Sequence, residues 1–465
     1  MVSATQLLIS YYGDDFTGST DALEFLTRAG VRTALFIEPP TPDKLARYPG
    51  LQGIGVAGLT RSMTPDAMEA TLRPALTALR SLGAPHVHYK VCSTFDSSPT
   101  IGSIGRVMDV AAEIFKAPFI PLLVGAPALG RFCLFGNLYA RMGIGSDGEI
   151  HRLDRHPSMS RHPITPMDES DLRLHLAKQT QKRSALFDIL KVALPPAEAK
   201  AALDKILADK PDVVLFDALY ANQLGLIGGL IDTFGRAEKP LFSVGSSGIE
   251  MALGAHWAAE KKLQPVSNWP DPGEAKPLLV ASGSCSPVTD GQIARAVAGG
   301  FADVPLDTAA IAAEKDTEKA VQIAADETAR HLKAGRSVVI HTSKGASDPR
   351  IAATADVFAK RGLDKMTVRT LTAQLFGTAL GKAVRKAIEK SKVKRLCIAG
   401  GDTSSFAARA LGIEAVEMIG PITPGAPLCR AHAPGSPADG LEVNFKGGQV
   451  GSADYFSVVA RGRPV

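Results

Sequence analysis

Near its N-terminus the chain reads QLLISYYGDDFTGSTDALEFL over residues 6–26, with two adjacent carboxylates set between an apolar run and a stretch with helical spacing. Leu7–Tyr12 has the composition of a buried strand, Gly13 and Gly18 bracket a turn, and Ala22, Leu23, Phe25 and Leu26 recur on one helix face. Asp14 and Asp15 therefore fall at the carboxyl end of a strand, the edge at which open α/β sheets bind ligands. Carboxylates there can accept hydrogen bonds from a polyhydroxy substrate or take a proton from one of its hydroxyls, which makes Asp14 and Asp15 the candidate catalytic residues. The structural alternative is an N-cap, because Asp or Thr ahead of a helix satisfies its free N–H groups. One cap needs one residue, whereas Asp14, Asp15 and Thr17 supply three.

A second stretch, HYKVCSTFDSSPTIGSIGR at 88–106, ends an apolar strand on a lysine and follows it with hydroxyls, an acid and two glycines. A lysine in that position is costly unless an anion meets it, and a strand-to-helix turn adds free amides. Lys90, Ser93, Asp96 and Ser97 are thus candidate ligands of a carboxylate or phosphate. Two further turns belong to the same edge: Thr60, Arg61 and Ser62 after GIGVAGL, and Gly245 and Ser246 of the GSSG stretch after LFSV.

Three glycine turns in the second half stand in one relation to their neighbours, each after a strand and ahead of a helix: ASGSCSPVT (281–289), AGGDTSSFAARAL (399–411) and FKGGQVGSADYF (445–456). Small residues let backbone amides approach a polyphosphate, and a helix N-terminus favours its charge. Ser282, Gly283, Ser284, Gly400, Gly401, Asp402, Thr403 and Gly447 are accordingly the candidate nucleotide ligands. Asp402 could also support a metal through water or cap its helix; the metal ligands are otherwise unknown from the sequence.

Absent motifs narrow the chemistry. The chain has no GxxxxGK[ST] loop and no GxSxG elbow. The GxGxxG match at 143–148, GIGSDG, reads as a turn that follows no strand and gives no support to NAD. The histidines of HRLDRHPSMSRHP (151–163) lack HExxH spacing and read as loop residues that pair with carboxylates or a ligand.

The chain's 465 residues exceed one ordinary core, and 45% hydrophobic with 21% charged residues is the composition of a globular enzyme. Apolar runs at Thr33–Ile37, Gly53–Ala57, His86–Val91, Phe119–Val124, Val213–Phe216 and Leu241–Val244 alternate with amphipathic stretches, the pattern of a parallel sheet with helices on both faces. The proline-rich QPVSNWPDPGEAKP (264–277) interrupts it. The α/β pattern then begins again with strands at Leu278–Ala281, Ser337–His341 and Arg395–Ala399, and helices at Thr317–Ala334 and Ala373–Ser391. The expected fold is α/β, two α/β domains with mostly parallel sheets facing each other across a cleft: a first, small-ligand-binding domain at 1–265, a linker at 266–276 and a nucleotide-binding domain at 277–465. Residues 129–167 are expected to be loops over the ligand edge of the first domain.

The five cysteines show no CxxC spacing and read as reduced thiols, mostly buried. A formal charge of +5, with Lys392–Arg395 as the densest basic cluster, argues against nucleic acid and allows small anions. No apolar run of about 18 residues suggests a membrane span, and the N-terminus lacks the features of a secretory signal, so a cytoplasmic location is expected. A homo-oligomer is allowed, although the sequence specifies no interface.

The stretches GDDFTGSTD, YKVCSTFDSS, HPITPM, SGSCS, GGDTS and KGG, in that order, resemble the four-carbon acid sugar kinase family along essentially the whole chain. The resemblance implies an ATP-dependent kinase with an N-terminal acid-sugar domain and a C-terminal nucleotide domain. It places ATP at Ser282–Ser284, Gly400–Thr403 and Gly447, with Mg²⁺ neutralising the charge of its phosphates, and the substrate carboxylate near Lys90, Arg61 and Ser93, with the terminal hydroxyl losing its proton to Asp15 or Asp14. The form KVCSTFDS is similar to the 3-oxo-tetronate kinase branch, whereas threonate and erythronate kinases carry a motif more like KKIDSTLRGN. Gly13 stands where alanine is usual and Ser103 where asparagine is usual, which keeps a branched acid such as 3-oxo-isoapionate, and threonate or erythronate, as alternatives. A non-catalytic small-acid binding protein and an NAD-dependent dehydrogenase are the rival classes, separated from a kinase by which nucleotide binds.

Overall fold

The computed structural model describes residues 6–142, 148–162 and 164–464, apart from the side chains of Lys365, Met366, Arg369, Thr370 and Asp402. Two compact units divide the chain, Met1–Ser267 and Asn268–Val465.

The first unit is built on eight parallel strands. In chain order its strands are β1 (Ile9–Gly13), β2 (Thr33–Phe36), β3 (Gly53–Ala57), β4 (His86–Lys90), β5 (Ile120–Leu123), the side strands β6 (Arg131–Leu134), β7 (Asn137–Arg141) and β8 (Ile150–Arg152), then β9 (Ser184–Phe187), β10 (Val213–Phe216) and β11 (Leu241–Gly245). The main sheet has the order β2-β3-β1-β4-β11-β5-β10-β9. From β1 the chain runs outward to β2, while from β4 it runs the other way to β5; the crevice between the carboxyl ends of β1 and β4 is thus a topological switch point, where doubly wound sheets place ligands. Helix Pro65–Ser81 buries Met68, Leu72, Leu76 and Leu79 at helical spacing against β1 and helix Ile104–Phe115. Cutting Leu76 to alanine in that core would cost about 2–5 kcal/mol.

Residues 129–167 are not a set of loops. Strands β6, β7 and β8 form a separate antiparallel sheet, tied to the main fold by the bridge between Cys133 and Ala218. Their lengths of three to five residues, with alternate burial in β6 and β7, leave too little apolar signal to read from sequence. This also corrects the reading of GIGSDG: a strand, β7, does end two residues before it, but β7 is antiparallel and leads to another strand rather than a helix. Residues 143–147 of that motif lie outside the described residues.

The second unit contains β12 (Leu279–Ser282), β13 (Ala302–Pro305), β14 (Val338–His341), β15 (Arg395–Ala399), β16 (Ala415–Thr423), β17 (Ala426–His432) and β18 (Glu442–Lys446), in the order β13-β14-β12-β15-β18-β17-β16. The first five are parallel, and β17 and β16 extend the sheet as an antiparallel hairpin that closes through Gly425 at φ 82°. Its long helix begins at Lys365, eight residues ahead of the expected Ala373. Asp364 explains the start, since its carboxylate accepts the Thr367 amide at 3.0 Å and its carbonyl accepts that of Val368.

Candidate functional site

In parallel strands the register decides which turns share an edge. Gly13 of β1 pairs with Lys90 of β4 and with Ala57 of β3, and Lys90 pairs with Gly245 of β11. The residues after these positions therefore leave the sheet side by side, and Asp14 donates its amide to Lys90 O at 2.9 Å. Asp14, Asp15, Arg61 and Lys90, expected at one edge, are brought together there.

Arg61 organises the acids. Its short 3-10 turn, Thr60–Ser62, is held by the Arg61 amide on Asp14 O, and Thr60 Oγ1 is 2.7 Å from Tyr89 OH. The guanidinium donates Nε to Asp14 Oδ2 at 3.0 Å and Nη2 to Asp14 Oδ1 at 2.7 Å, and it reaches both oxygens of Asp15 at 2.9 Å. The two aspartates nevertheless differ. Asp15 is also the N-cap of helix Phe16–Arg28, accepting the Gly18 amide at 2.7 Å and Thr17 Oγ1 at 2.9 Å. Asp14 has Arg61 as its side-chain donor, which leaves its remaining lone pairs available; burial pushes its carboxyl above the usual range, against the pull of Arg61. Gly18 keeps the edge open, since a Cβ there would lie 2.5 Å from Asp15 Oδ1 and 3.5 Å from both Arg61 Nη2 and Lys90 Nζ.

The anion that Lys90 was expected to need is supplied from within. Its ammonium lies 3.3 Å from Asp21 Oδ2 and donates to Val91 O at 3.0 Å. Burial lowers the Lys90 pKa, but Asp21, Glu250 and Asp14 outweigh burial and hold it above the ordinary value, so the group stays charged. Ser93 Oγ accepts from Arg131 Nε at 3.1 Å, and Asp96 accepts from Thr94 at 2.8 Å. Ser97 is turned inward, donating to Phe95 O and meeting His175 and Gln179 at 3.0 Å. Ser246 likewise donates to Val124 O and accepts the Gly248 amide, while a Cβ on Gly245 would stand 2.1 Å from Leu123 O. Ser97, Gly245 and Ser246 therefore serve packing of the edge, not an open face. The reason is the same for all three: short residues at a strand end allow close helix packing as well as ligand approach.

In the second unit the three glycine turns also converge through register. Ser282 of β12 pairs with Ala399 of β15, and Ala399 pairs with Lys446 of β18. Gly283 donates its amide to Ala399 O at 3.0 Å and Gly400 to Lys446 O at 2.9 Å. The turns are so close that a Cβ on Gly283 would meet Thr403 Oγ1 at 2.2 Å, and one on Gly448 would meet Ser284 Oγ at 2.8 Å. Gly400 has φ 126°, a conformation that side chains resist. Gly283, Ser284, Gly400, Gly401, Thr403 and Gly448 line one wall of a cavity of about 450 Å³. Ile351, Phe358, Val368 and Phe376 line the other, with the two phenylalanine rings 6.5 Å apart. Gly448, not Gly447, faces this cavity, and the Ser282 hydroxyl is buried without a hydrogen-bond partner among the described residues. The side chain of Asp402 lies outside the described residues.

Several residues at these edges were missed by sequence reasoning. Asp21, His88, Glu250 and Arg131 lie beneath or beside the first edge, and Lys446 lies behind the glycine turns. Lys446 donates to Thr289 Oγ1 at 2.9 Å, Thr289 donates to Gly448 O at 2.8 Å, and burial lowers the Lys446 pKa to about 8. A signal existed for His88 and Lys446: an ionisable residue inside an otherwise apolar stretch, as in HVHYK and VNFK.

An acid–cation edge on one α/β unit, with a glycine-walled cavity on another, is the equipment of a phosphotransferase. Residues 9–253 match the family described as "Sugar-binding N-terminal domain" and residues 279–456 the family described as "Nucleotide-binding C-terminal domain". The chain is 40% identical to the 3-oxo-isoapionate kinase of Paraburkholderia graminis, over 98% of this chain and 95% of that one. It is 31% identical to a 3-oxo-tetronate kinase of Methylobacterium radiotolerans, over 97% and 98%. A crystal structure of a Salmonella typhimurium LT2 protein aligns with a TM-score of 0.74 at 25% identity, over 98% of this chain and 99% of that one. The chain belongs to the four-carbon acid sugar kinase family and is an enzyme of the kinase class. No helix among the described residues is long and apolar enough to cross a membrane.

Proposed function

We propose that the protein transfers the γ-phosphoryl group of ATP to the terminal hydroxyl of a small 3-oxo sugar acid, and that a branched acid of the 3-oxo-isoapionate type is its first substrate. The observation that carries this reading is the 40% identity over 98% of the chain to the 3-oxo-isoapionate kinase, above the 31% to the 3-oxo-tetronate kinase noted with it.

In this reading Arg61 and Lys90 attract the substrate carboxylate, helped by Ser93 and Arg131, and Asp14 accepts the proton of the hydroxyl. The attacking oxygen forms its bond to the γ-phosphorus as the bridging β–γ bond breaks and ADP leaves with the electron pair. Asp14 suits the base because its lone pairs are less committed than those of Asp15 and its carboxyl is raised by burial, which brings a carboxylate nearer the working pH. Asp15, as N-cap and second partner of Arg61, fixes the geometry. The apolar lining of Ile351, Phe358, Val368 and Phe376 suits an adenine ring, and the phosphates would lie along the amides of the 283–284, 400–403 and 447–448 turns, with Lys446 bracing the last. Mg²⁺ would supply charge neutralisation on those phosphates, and no side chain is assigned to it. ATP as phosphoryl donor places the enzyme in the cytoplasm.

The test is an ADP-release assay with ATP, Mg²⁺ and a panel of 3-oxo-isoapionate, 3-oxo-tetronate, threonate and erythronate. The expected result is the highest kcat/KM for the branched 3-oxo acid. Turnover of none of the four with ATP would overturn the proposal.

A further inference from the structure

Lys90, Arg61 and Arg131 all stand at the first edge, and the fold neutralises two of them. Lys90 lies against Asp21, and Arg61 is shared between Asp14 and Asp15. Arg131, 7% exposed, has no carboxylate partner among the described residues. Its Nε donates to Ser93 Oγ at 3.1 Å, and its Nη1 donates to Leu129 O at 2.8 Å and Arg141 O at 3.4 Å, which leaves Nη2 unpaired. A buried cation met by neutral acceptors alone is costly. Burial lowers the Arg131 pKa, yet a guanidinium stays charged at any working pH.

A second donor comes to the same face. Arg131 on β6 pairs with Ala140 on β7, and Ala140 pairs with His151 on β8, so Arg131 and His151 stand on one side of that sheet with a methyl group between them. The His151 ring meets that of His156 edge-on, with centroids 5.7 Å apart. His156 is 5% exposed, and its Nδ1 accepts the amides of Ser158 at 3.2 Å and Met159 at 3.3 Å. Those two bonds fix the tautomer: Nε2 carries the hydrogen, and no acceptor meets it among the described residues. Burial, with His151 and Arg131 nearby, lowers the His156 pKa, so the ring is a neutral donor near pH 7. Neither Arg131 Nη2 nor His156 Nε2 is sealed from solvent, in contrast to the unpaired nitrogens His88 Nε2 and His175 Nδ1. The neighbouring acids are engaged elsewhere, Asp21 by Lys90 and Ser247 and Asp96 by Thr94.

We propose that Arg131 and His156 are the direct contacts of the substrate carboxylate, with Arg131 Nη2 and His156 Nε2–H as its donors and the β6-β7-β8 sheet as their support. This rests on the reading of the β1–β4 edge as the acid-sugar site, to which Ser93 ties Arg131. Both free groups can only donate, and an ionised carboxylate can only accept. Arg61 and Lys90, neutralised by their own aspartates, then act on the substrate through the field of the edge.

The test is KM for 3-oxo-isoapionate and for ATP, with the melting temperature, in Arg131→Gln and His156→Asn. Asparagine at 156 keeps an oxygen near the Nδ1 position for the Ser158 and Met159 amides and loses the Nε2 donor. Arg131→Gln should raise KM for the acid about ten- to a hundredfold and His156→Asn about tenfold, the worth of a hydrogen bond to a charged group, with KM for ATP within twofold. A residue that merely braces the fold would move the melting temperature without that selective rise. Wild-type KM for the acid in either variant would overturn the inference; if Arg131→Gln fails to fold, His156→Asn decides alone. Wild-type enzyme that turns over no sugar acid would refute the kinase reading of the edge, and the anion site is then read by thermal shift with threonate. Stabilisation of the wild type that His156→Asn loses is expected, and no stabilisation of the wild type overturns the site.

Discussion

Asp14 donates its backbone amide to the carbonyl of Lys90 at 2.9 Å, because Gly13 and Lys90 are registered partners at the ends of neighbouring parallel strands. This one relationship puts the proposed base and the proposed substrate cation on a common rigid support. Both side chains come from element ends held by a buried sheet, which limits their motion relative to each other better than two loops could.

The nucleotide site can be tested without touching that support. Gly401 opens helix Gly401–Ala410 and lines the cavity. Gly401→Val should raise KM for ATP at least tenfold, because a branched side chain would occupy the space nearest the amides, while KM for the acid stays within twofold. Steady-state kinetics in both substrates check this. An unchanged KM for ATP would show that the 400–403 turn has a structural role alone.

Lys90→Met should lower the melting temperature as well as weaken substrate binding. The change leaves Asp21 buried without its cation, and breaking a buried pair by removing one partner costs about 3–5 kcal/mol. Lys90→Met with Asp21→Asn should recover much of the loss, since the uncompensated charge is then gone. Calorimetry of the single and double variants reads the coupling; additive losses would show that Lys90 and Asp21 do not stabilise each other.

Acid and alkaline stability should carry opposite signatures from the buried cluster. His88 is held near 3 against an ordinary 6.5, so between those values the unfolded chain binds the extra proton, and stability present above pH 6.5 is lost as the pH falls. Glu250 is raised from 4.5 to about 8, so in that window the folded chain binds the extra proton, and stability present below pH 4.5 is lost as the pH rises. Relative to the wild type, His88→Asn should therefore gain stability on acidification from pH 6.5 to pH 5, and Glu250→Gln on going from pH 5 to pH 8. Melting curves at those pH values check both signs; variant curves parallel to the wild type would contradict them.

Much of this was legible in the sequence where a local pattern carries the information. Apolar runs ending in glycine or lysine located the strands that end at the ligand edge and the three glycine turns, because a strand end, a small residue and a helix start are neighbours in the chain. The pairing of Gly13 with Lys90 was not legible: register between residues 77 positions apart is set by packing of whole elements. Asp21 and Glu250 were missed for a related reason. In sequence each looks like an ordinary helix acid, and it becomes a buried charge once β4 brings His88 and Lys90 against it. The antiparallel β6-β7-β8 sheet escaped because its strands are short and half exposed, and the β16-β17 hairpin because no helix separates its two strands, which breaks the βα rhythm of the rest.

The division of labour between Asp14 and Asp15 is the centre of the account, and kinetics of Asp14→Asn and Asp15→Asn beside their melting curves test it most directly. Asparagine keeps the size and caps a helix as well as aspartate, so neither variant should unfold. Asp14→Asn should lose about 10² to 10⁴ in kcat, the usual contribution of a general base, with KM for ATP unchanged. Asp15→Asn should mainly raise KM for the sugar acid, through the loosened Arg61. Wild-type turnover in both variants would contradict the account and leave GDDFTG as a capped turn beside an arginine.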